Sequence, residues 1–291
     1  MHSTKSSKTL LRSWQFEALG TAWSIETPQE LPINVREEIA ERIEQFDASY
    51  SRFRKDSLVG QLRTPGKYVF PSDVTDLLTL YKKLYEMTDG RMTPLIGGML
   101  EDAGYDATYS LQPKLIHDIP DFDALGWDGA TTLQPTRPIV LDVGAAGKGY
   151  LVDSISEILE LHGVTEYVID ASGDIKQKGD SQIVGLEHPL DLNKVIGTVT
   201  LQDQSLCASA VNRRAWLGMH HVFDPNTKMP TNSMMATWVI AESTFVADAL
   251  ATALFFVAAD TLLNEFEFTY VTISTEGAID VSPQFNGKLY I

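Results

Sequence analysis

The spacing of apolar residues predicts both strands and helices in the N-terminal third of the chain. Residues from Trp14 to Glu26 alternate in polarity and are broken at Gly20, which predicts two short strands. Apolar side chains then recur at helical spacing from Val35 to Tyr50. A second helical pattern begins at Pro71 and stops at Gly90. This third of the chain is therefore expected to contribute two strands and two amphipathic helices.

The remaining pattern predicts a fold with many strands. Residues 94–109 are glycine-rich and predict an irregular segment. The other predicted elements are buried or closing strands at 139–141, 167–170, 237–241 and 270–279, helices at 150–162 and 243–258, and successive strands over 183–209. Mixed elements without regular βαβ alternation favour an α+β architecture over a doubly wound sheet.

A block of small residues from Gly144 to Gly149 lies between a predicted strand and a predicted helix. Small side chains let backbone N–H groups approach a phosphate, and a helix N-terminus favours negative charge. Lys148 adds a positive charge. The spacing matches neither a Walker A loop nor a dinucleotide fingerprint. Tight strand–helix packing is an equally good interpretation of this block alone.

Asp248 and Thr252 lie four residues apart in a predicted helix, so both side chains project from one face. A carboxylate and a hydroxyl, completed by a backbone carbonyl and phosphate oxygens, suit Mg²⁺. For an isolated pair of this kind, capping by the acid and packing of the threonine are the commoner roles.

His221 precedes Asp224 by three residues, and a histidine at the end of a strand is a candidate general base. The alternative is a turn, since Asp224-Pro225-Asn226 has strong turn chemistry. Asp170 and Asp174 bracket another predicted turn, where a structural use of the carboxylates is the commoner outcome.

The net charge argues against two classes of partner. The chain has 291 residues with 23 basic and 39 acidic side chains, a net charge of −16, which disfavours nucleic acid and anionic membrane surfaces. Its single cysteine, Cys207, has small or apolar neighbours and is expected to be a buried structural thiol. No apolar run is long enough to span a membrane. We expect a polar tail over residues 1–12, one domain over 13–291 and a cytoplasmic location, with an exported form trimmed of its signal as the alternative.

Taken together, these segments resemble the ApbE family, the FAD:protein FMN transferases, from about Phe16 to the C-terminus. The resemblance is carried by seven segments in family order: Ala18–Thr21, Ser51–Ser57, Asp89–Pro94, Asp142–Asp153, Ala171–Asp174, His221–Pro225 and Ala247–Ala253.

The resemblance implies a single α+β unit with two lobes, mixed sheets and flanking helices. It also implies a Mg²⁺-dependent enzyme that cleaves FAD, attaches FMN through a phosphoester to a Thr or Ser of an acceptor flavoprotein and releases AMP. By the same resemblance His221 is the base, and the Mg²⁺ ligands are Asp248, Thr252 and the main-chain oxygen of Ala145. The implied FAD contacts are Leu19, Phe53, Arg91, Met92, Thr93, Asp142 and Lys148.

Several positions depart from the family pattern. Thr93 replaces an acidic residue, and Ala208-Ser209-Ala210 stands in place of a Thr-Ser-Gly segment. These departures affect acceptor recognition more than binding of Mg²⁺ and FAD. Two alternatives therefore stay open: a Mg²⁺-dependent FAD pyrophosphatase that releases FMN and AMP, and a flavin-binding protein without catalytic activity.

Overall fold

A computed structural model describes residues 11–212 and 214–290, with the side chain of Leu192 excepted. Most of the predicted N-terminal tail, residues 1–10, lies outside the described residues. Within the described ranges the helices are α1 (Ile33–Tyr50), α2 (Leu58–Gln61), α3 (Asp73–Met87), α4 (Gly97–Asp102), α5 (Gly147–Leu161), α6 (Thr244–Ala253) and α7 (Ala259–Leu263). Short 3-10 helices cover Pro94–Ile96 and Phe122–Leu125. None of the helices in these ranges is both long and apolar enough to cross a membrane.

The largest sheet is antiparallel throughout and has the strand order β1-β2-β5-β6-β9-β14-β15-β16. Its strands are β1 (Arg12–Ala18), β2 (Thr21–Thr27), β5 (Tyr167–Asp170), β6 (Asp174–Lys178), β9 (Ser205–Ala210), β14 (Met234–Ala241), β15 (Thr269–Ser274) and β16 (Ile279–Val281).

Smaller sheets complete the architecture. A three-stranded sheet has the order β17-β8-β7, and three two-stranded ribbons pair β3 with β4, β10 with β11, and β12 with β13. Their strands are β3 (Tyr68–Val69), β4 (Thr132–Leu133), β7 (Gln182–His188), β8 (Asp191–Leu201), β10 (Ala215–Trp216), β11 (Met219–His220), β12 (Phe223–Asp224), β13 (Met229–Pro230) and β17 (Gly287–Leu289).

The large sheet is covered on both faces, as β14 shows. Trp238 and Ile240 enter a core shared with the three-stranded sheet, while Val239 and Ala241 enter the main core with the helices. Successive side chains of a strand point to opposite faces, so a strand apolar at every position must lie between two layers. The structure thus has the predicted α+β class, with helices on one face and a small sheet on the other.

Helices α5 and α6 pack closely on the helical face of the sheet. A Cβ at Gly149 would lie 2.3 Å from the Thr244 carbonyl oxygen and 2.7 Å from the Asp248 Cβ. Glycine at this position therefore lets the start of α5 approach α6 directly. The Gly149 N–H donates to the Asp248 carboxylate over 2.9 Å, so the contact ties the small-residue block to the acidic helix.

Four predicted elements differ clearly from the structure. Residues 139–141 are not a strand, because the chain there has no neighbouring strand and the Ile139 N–H donates to the Leu62 carbonyl instead. The segment predicted to be irregular contains α4, whose Gly97 is needed because a Cβ would lie 2.8 Å from the backbone of Val140. Finally, α6 ends at Ala253 rather than at Ala258, and the predicted closing strand is split into β15 and β16.

Candidate functional site

One cavity of about 320 Å³ brings together most of the predicted site residues. Its lining residues come from α3, the 3-10 helix at Pro94–Ile96, the block at the start of α5, β9, the β10–β13 region and α6, among other segments. Nine of the predicted residues line it: Arg91, Met92, Thr93, Asp142, Ala145, Lys148, His221, Asp248 and Thr252. Segments far apart in sequence therefore converge on one site.

Leu19 and Phe53 are not among the described residues that line the cavity. Leu19 lies in the β1–β2 turn with φ of 50°, and Phe53 stacks on Tyr109 with ring centroids 5.5 Å apart. The predicted flavin contacts of both residues stay predictions.

The block at the start of α5 is held by the Asp142 side chain. Its Oδ1 accepts a hydrogen bond from the Gly144 N–H over 2.6 Å, and its Oδ2 accepts one from Arg52. Burial raises the pKa of Asp142, but the Arg52 charge and the Gly144 N–H outweigh burial and lower it. Asp142 is therefore ionised, and it fixes the shape of the small-residue loop.

Lys148 is the cation at the start of α5. Its Nζ lies 2.9 Å from Asp174 Oδ2 and donates to the Ala171 carbonyl over 2.8 Å. Burial lowers the pKa of Lys148, whereas Asp174 and Asp248 raise it, with a net increase. The lysine is thus a fixed positive charge beside the predicted metal ligands. Asp174, for which sequence analysis favours a structural role, also lines the cavity.

Asp248 and Thr252 lie on one face of α6, as their spacing predicted. Asp248 is 6% exposed, and one of its oxygens is used by Gly149. Burial, followed by the nearby Asp174, raises the pKa of Asp248 to about 8. The Thr252 hydroxyl lies 3.5 Å from the Ser209 hydroxyl. Carboxylate, hydroxyl and carbonyl oxygens are the hard donors that Mg²⁺ prefers, and Asp248, Thr252 and Ala145 all line this cavity, so the residues present fit this ion.

The two adjacent histidines have different surroundings. His220 is buried and its Nε2 is 2.8 Å from the Thr231 carbonyl, which gives it a structural role. His221 lines the cavity, and within the described part of the chain its shielded Nδ1 has no hydrogen-bond partner. Burial, followed by the positive charge of Arg214, lowers the pKa of His221 to about 3. The imidazole is therefore neutral at pH 7 and has a nitrogen free to accept a proton.

Two further predictions about single residues are confirmed. Asp224 accepts a hydrogen bond from the Asn226 N–H over 2.8 Å, so the predicted turn after His221 is present. Cys207 is fully buried, and burial raises the pKa of its thiol well above the ordinary value. A buried protonated thiol is not a nucleophile.

Sequence reasoning missed several cavity residues, among them Tyr81, Tyr105 and Arg214. The Tyr81 hydroxyl accepts a hydrogen bond from the Ala145 N–H over 3.2 Å. Tyr81 is a buried residue of α3, and burial alone does not distinguish packing from a role at the site. Tyr105 and Arg214 come from irregular segments that no periodic pattern marks.

Known proteins share this fold and sequence pattern. An FAD:protein FMN transferase of Rhodobacter capsulatus is 26% identical over 184 residues, a match covering 57% of this chain and 35% of that protein. One from Escherichia coli strain K12 is 23% identical over 268 residues, covering 82% of this chain and 76% of that protein. The solved flavin transferase ApbE from Vibrio cholerae superposes with a TM-score of 0.81 over 95% of this chain and 98% of that chain, at 19% identity, which shows the fold.

The similarity to these curated relatives and the family model confirm the predicted enzyme class, a flavin transferase. The family model described as the ApbE family matches residues 19–270, which is most of the chain. This chain therefore belongs to the ApbE family.

Proposed function

We propose that this chain is a Mg²⁺-dependent FAD:protein FMN transferase that attaches FMN to a Thr or Ser hydroxyl of an acceptor flavoprotein and releases AMP. The observation that carries the proposal is the convergence in one cavity of an oxygen-donor wall at Asp248 and Thr252, a fixed cation at Lys148 and a neutral imidazole at His221. The names of the relatives supply FAD as the substrate.

Asp248, Thr252 and the main-chain oxygen of Ala145 would hold the metal ion. Bound there, Mg²⁺ would neutralise charge on the non-bridging oxygens of a diphosphate. Lys148 is held between Asp174 and the Ala171 carbonyl, so its charge is pre-positioned and needs little reorganisation when the substrate binds. The loop from Gly144 to Gly149 lets the substrate approach main-chain N–H groups at the start of α5.

His221 acts on the nucleophile. The acceptor oxygen forms a bond to the phosphorus of the FMN half, and its proton moves to the imidazole. The bridging P–O bond breaks, and its electron pair leaves on the phosphate of AMP. A histidine that is neutral at pH 7 can accept that proton, and the negative charge of a bound diphosphate would raise its pKa from the low value that burial and Arg214 set in the empty cavity.

Residues Ala208–Ala210, which replace the Thr-Ser-Gly segment of the family pattern, all line the same cavity. Small side chains at these positions leave space for an incoming hydroxyl in the cavity that His221 also lines. Water would use the same room, so the choice between transfer and hydrolysis depends on the acceptor docking and excluding water.

Intact-mass measurement of candidate acceptors tests the proposal. Flavoprotein subunits of electron-transfer or reductase systems are incubated with the enzyme, FAD and Mg²⁺, and AMP is quantified in the same mixture. We expect an FMN adduct on the acceptor together with an equal amount of AMP. Matched controls omit Mg²⁺, replace FAD by FMN, or replace the modified acceptor threonine by valine, and each should abolish the adduct.

Other results would favour the alternatives. Free FMN and AMP without an adduct on any acceptor would indicate the pyrophosphatase. Bound FAD that is never cleaved would indicate a flavin-binding protein.

A further inference from the structure

Arg214 directly precedes a β-hairpin, and the strand register of that hairpin fixes its backbone position. Strands β10 and β11 pair Ala215 with His220 and Trp216 with Met219. The turn residues Leu217 and Gly218 have φ of 48° and 78°, as a two-residue type I′ turn requires. One step beyond the last pair, this register sets Arg214 opposite His221. The position of Arg214 is thus coupled to that of the predicted base.

The rest of the protein anchors this hairpin. The Trp216 indole N–H donates to the Ala103 carbonyl over 2.9 Å, and the Trp216 ring stacks on Tyr105 with centroids 5.5 Å apart. Trp216 is buried, whereas Arg214 is exposed. The backbone that carries the guanidinium is therefore held, while its side chain remains accessible to a ligand.

Arg214 differs from the other cations of the cavity because its side chain has no partner among the described residues. Lys148 is paired with Asp174, and the Arg91 Nε donates to the Thr88 carbonyl over 2.9 Å. The Arg214 side chain makes no hydrogen bond or ion pair with the residues that the structure describes, although it lines the cavity. An unpaired cation beside a candidate diphosphate site is placed to bind an anion.

The charge of Arg214 also acts on the centre of the cavity. It is the second cause, after burial, of the low pKa of His221. It also opposes the increase in the pKa of Asp248 that burial and Asp174 produce. The guanidinium is therefore electrostatically close both to the predicted base and to a predicted metal ligand.

We propose that Arg214 is a further catalytic residue, whose guanidinium binds the diphosphate of FAD on the His221 side of the cavity. This inference rests on the proposed function. As the bridging P–O bond breaks, the electron pair passes to the AMP phosphate, and Arg214 neutralises that charge without exchanging a proton. Planar guanidinium donors bind two phosphate oxygens at once, which an ammonium group does not do.

The test compares Arg214→Gln and Arg214→Lys with the unmodified enzyme. Lys228→Gln is the matched control, because Lys228 is a partly exposed cation that pairs with Asp118 and does not line the cavity. FAD turnover with Mg²⁺ is followed as AMP release, and binding of FAD and of riboflavin is followed by flavin fluorescence. We expect Arg214→Gln to lower kcat roughly 100-fold or more, as for other lost transition-state donors. Arg214→Lys should recover part of that loss, and Lys228→Gln should match the unmodified enzyme.

The binding arm separates this inference from the proposed function. Riboflavin carries no phosphate, so we expect Arg214→Gln to weaken FAD binding and to leave riboflavin binding and the unfolding temperature unchanged. If the unmodified enzyme binds FAD without turning it over, the proposed function fails but this comparison still decides the role of Arg214. Equal losses for both ligands, or unchanged FAD binding and turnover in Arg214→Gln, would overturn the inference.

Discussion

Replacing Gly149 by alanine should disable the site while leaving the fold largely intact. Gly149 lies in the first turn of α5, and its N–H donates to Asp248. An added Cβ would lie 2.3 Å from the Thr244 carbonyl oxygen and 2.7 Å from the Asp248 Cβ. Neither atom can rotate away, because one is backbone and the other is the first atom of a side chain. To restore ordinary contact, α5 and α6 must separate by about 1 Å.

The expected loss of stability is small. Overpacking costs about 1–3 kcal/mol, whereas alanine is favoured over glycine in a helix by about 1 kcal/mol. The net cost of about 0–2 kcal/mol lowers the unfolding temperature by less than roughly 8 °C. The effect on activity should be much larger, because a displacement of about 1 Å in a catalytic group can reduce the rate about 100-fold.

The assay is Mg²⁺-dependent AMP release from FAD, measured alongside thermal unfolding. Gly147→Ala is the matched control on the same helix, because a Cβ there would meet only the side-chain ends of Val143, at 3.0 Å, and Phe46, at 3.3 Å. These side-chain ends can shift, so we expect Gly147→Ala to have an activity within a few fold of that of the unmodified enzyme. Normal turnover and Mg²⁺ requirement in Gly149→Ala would refute the idea that this helix contact sets the position of Asp248.

Three further predictions concern charge and proton transfer. His221→Ala should keep FAD binding and lose transfer, so an adduct formed at the normal rate would remove His221 from the mechanism. Because burial and Asp174 raise the pKa of Asp248 to about 8, Mg²⁺ must displace a proton, and the apparent Mg²⁺ affinity should rise from pH 6 to pH 8 and then level off; a flat profile would contradict the ligand assignment. Arg52→Met removes the ion-pair partner of Asp142, whose side chain is only 14% exposed, at a cost of up to about 3–5 kcal/mol near pH 7. Because the folded-state pKa of Asp142 is lowered, despite burial, by Arg52, its stabilisation is present above the ordinary aspartate pKa and is lost as the pH falls. The unfolding temperatures of Arg52→Met and of the unmodified protein should therefore differ less in acid than at neutral pH. An equal difference at every pH would contradict the stabilising role of the Arg52–Asp142 ion pair.

Local patterns predicted the elements whose burial is regular. Helix α1 begins two residues before the predicted Val35 and ends at the predicted Tyr50. Strands β1 and β2 flank Gly20 as expected, and Gly20 has φ of 72°, in the region that favours glycine. These elements present one face to the core and the other to solvent, so their sequences carry a clear period.

Patterns failed where burial does not follow a period. Ile139 and Leu141 are buried, but their backbone groups bond to loops, so an apolar run there does not make a strand. Residues after Ala253 remain apolar because the turn that ends α6 is also buried. Arg214 carries no local signal, because its place at the site comes from a hairpin whose partner strand ends beside His221. Such a site residue is found only from the pairing of strands.

The raised pKa of Asp248 and the lack of a side-chain partner for Arg214 among the described residues both bear on the balance of charge in the cavity. The cavity is lined by three carboxylates and three cations in a chain whose net charge is −16. Lys148 is already neutralised by Asp174, and Arg52 neutralises Asp142 from behind the loop. A diphosphate brings two negative charges into this setting. A divalent ion that takes the place of a proton on Asp248 adds one positive charge, and Arg214 supplies the second. Arg91 adds a third cation, whose Nε donates to a neutral carbonyl. In the proposed complex the two negative charges of the diphosphate would offset the positive charge that the metal ion adds, so we expect the metal ion and FAD to bind more tightly together than either does alone.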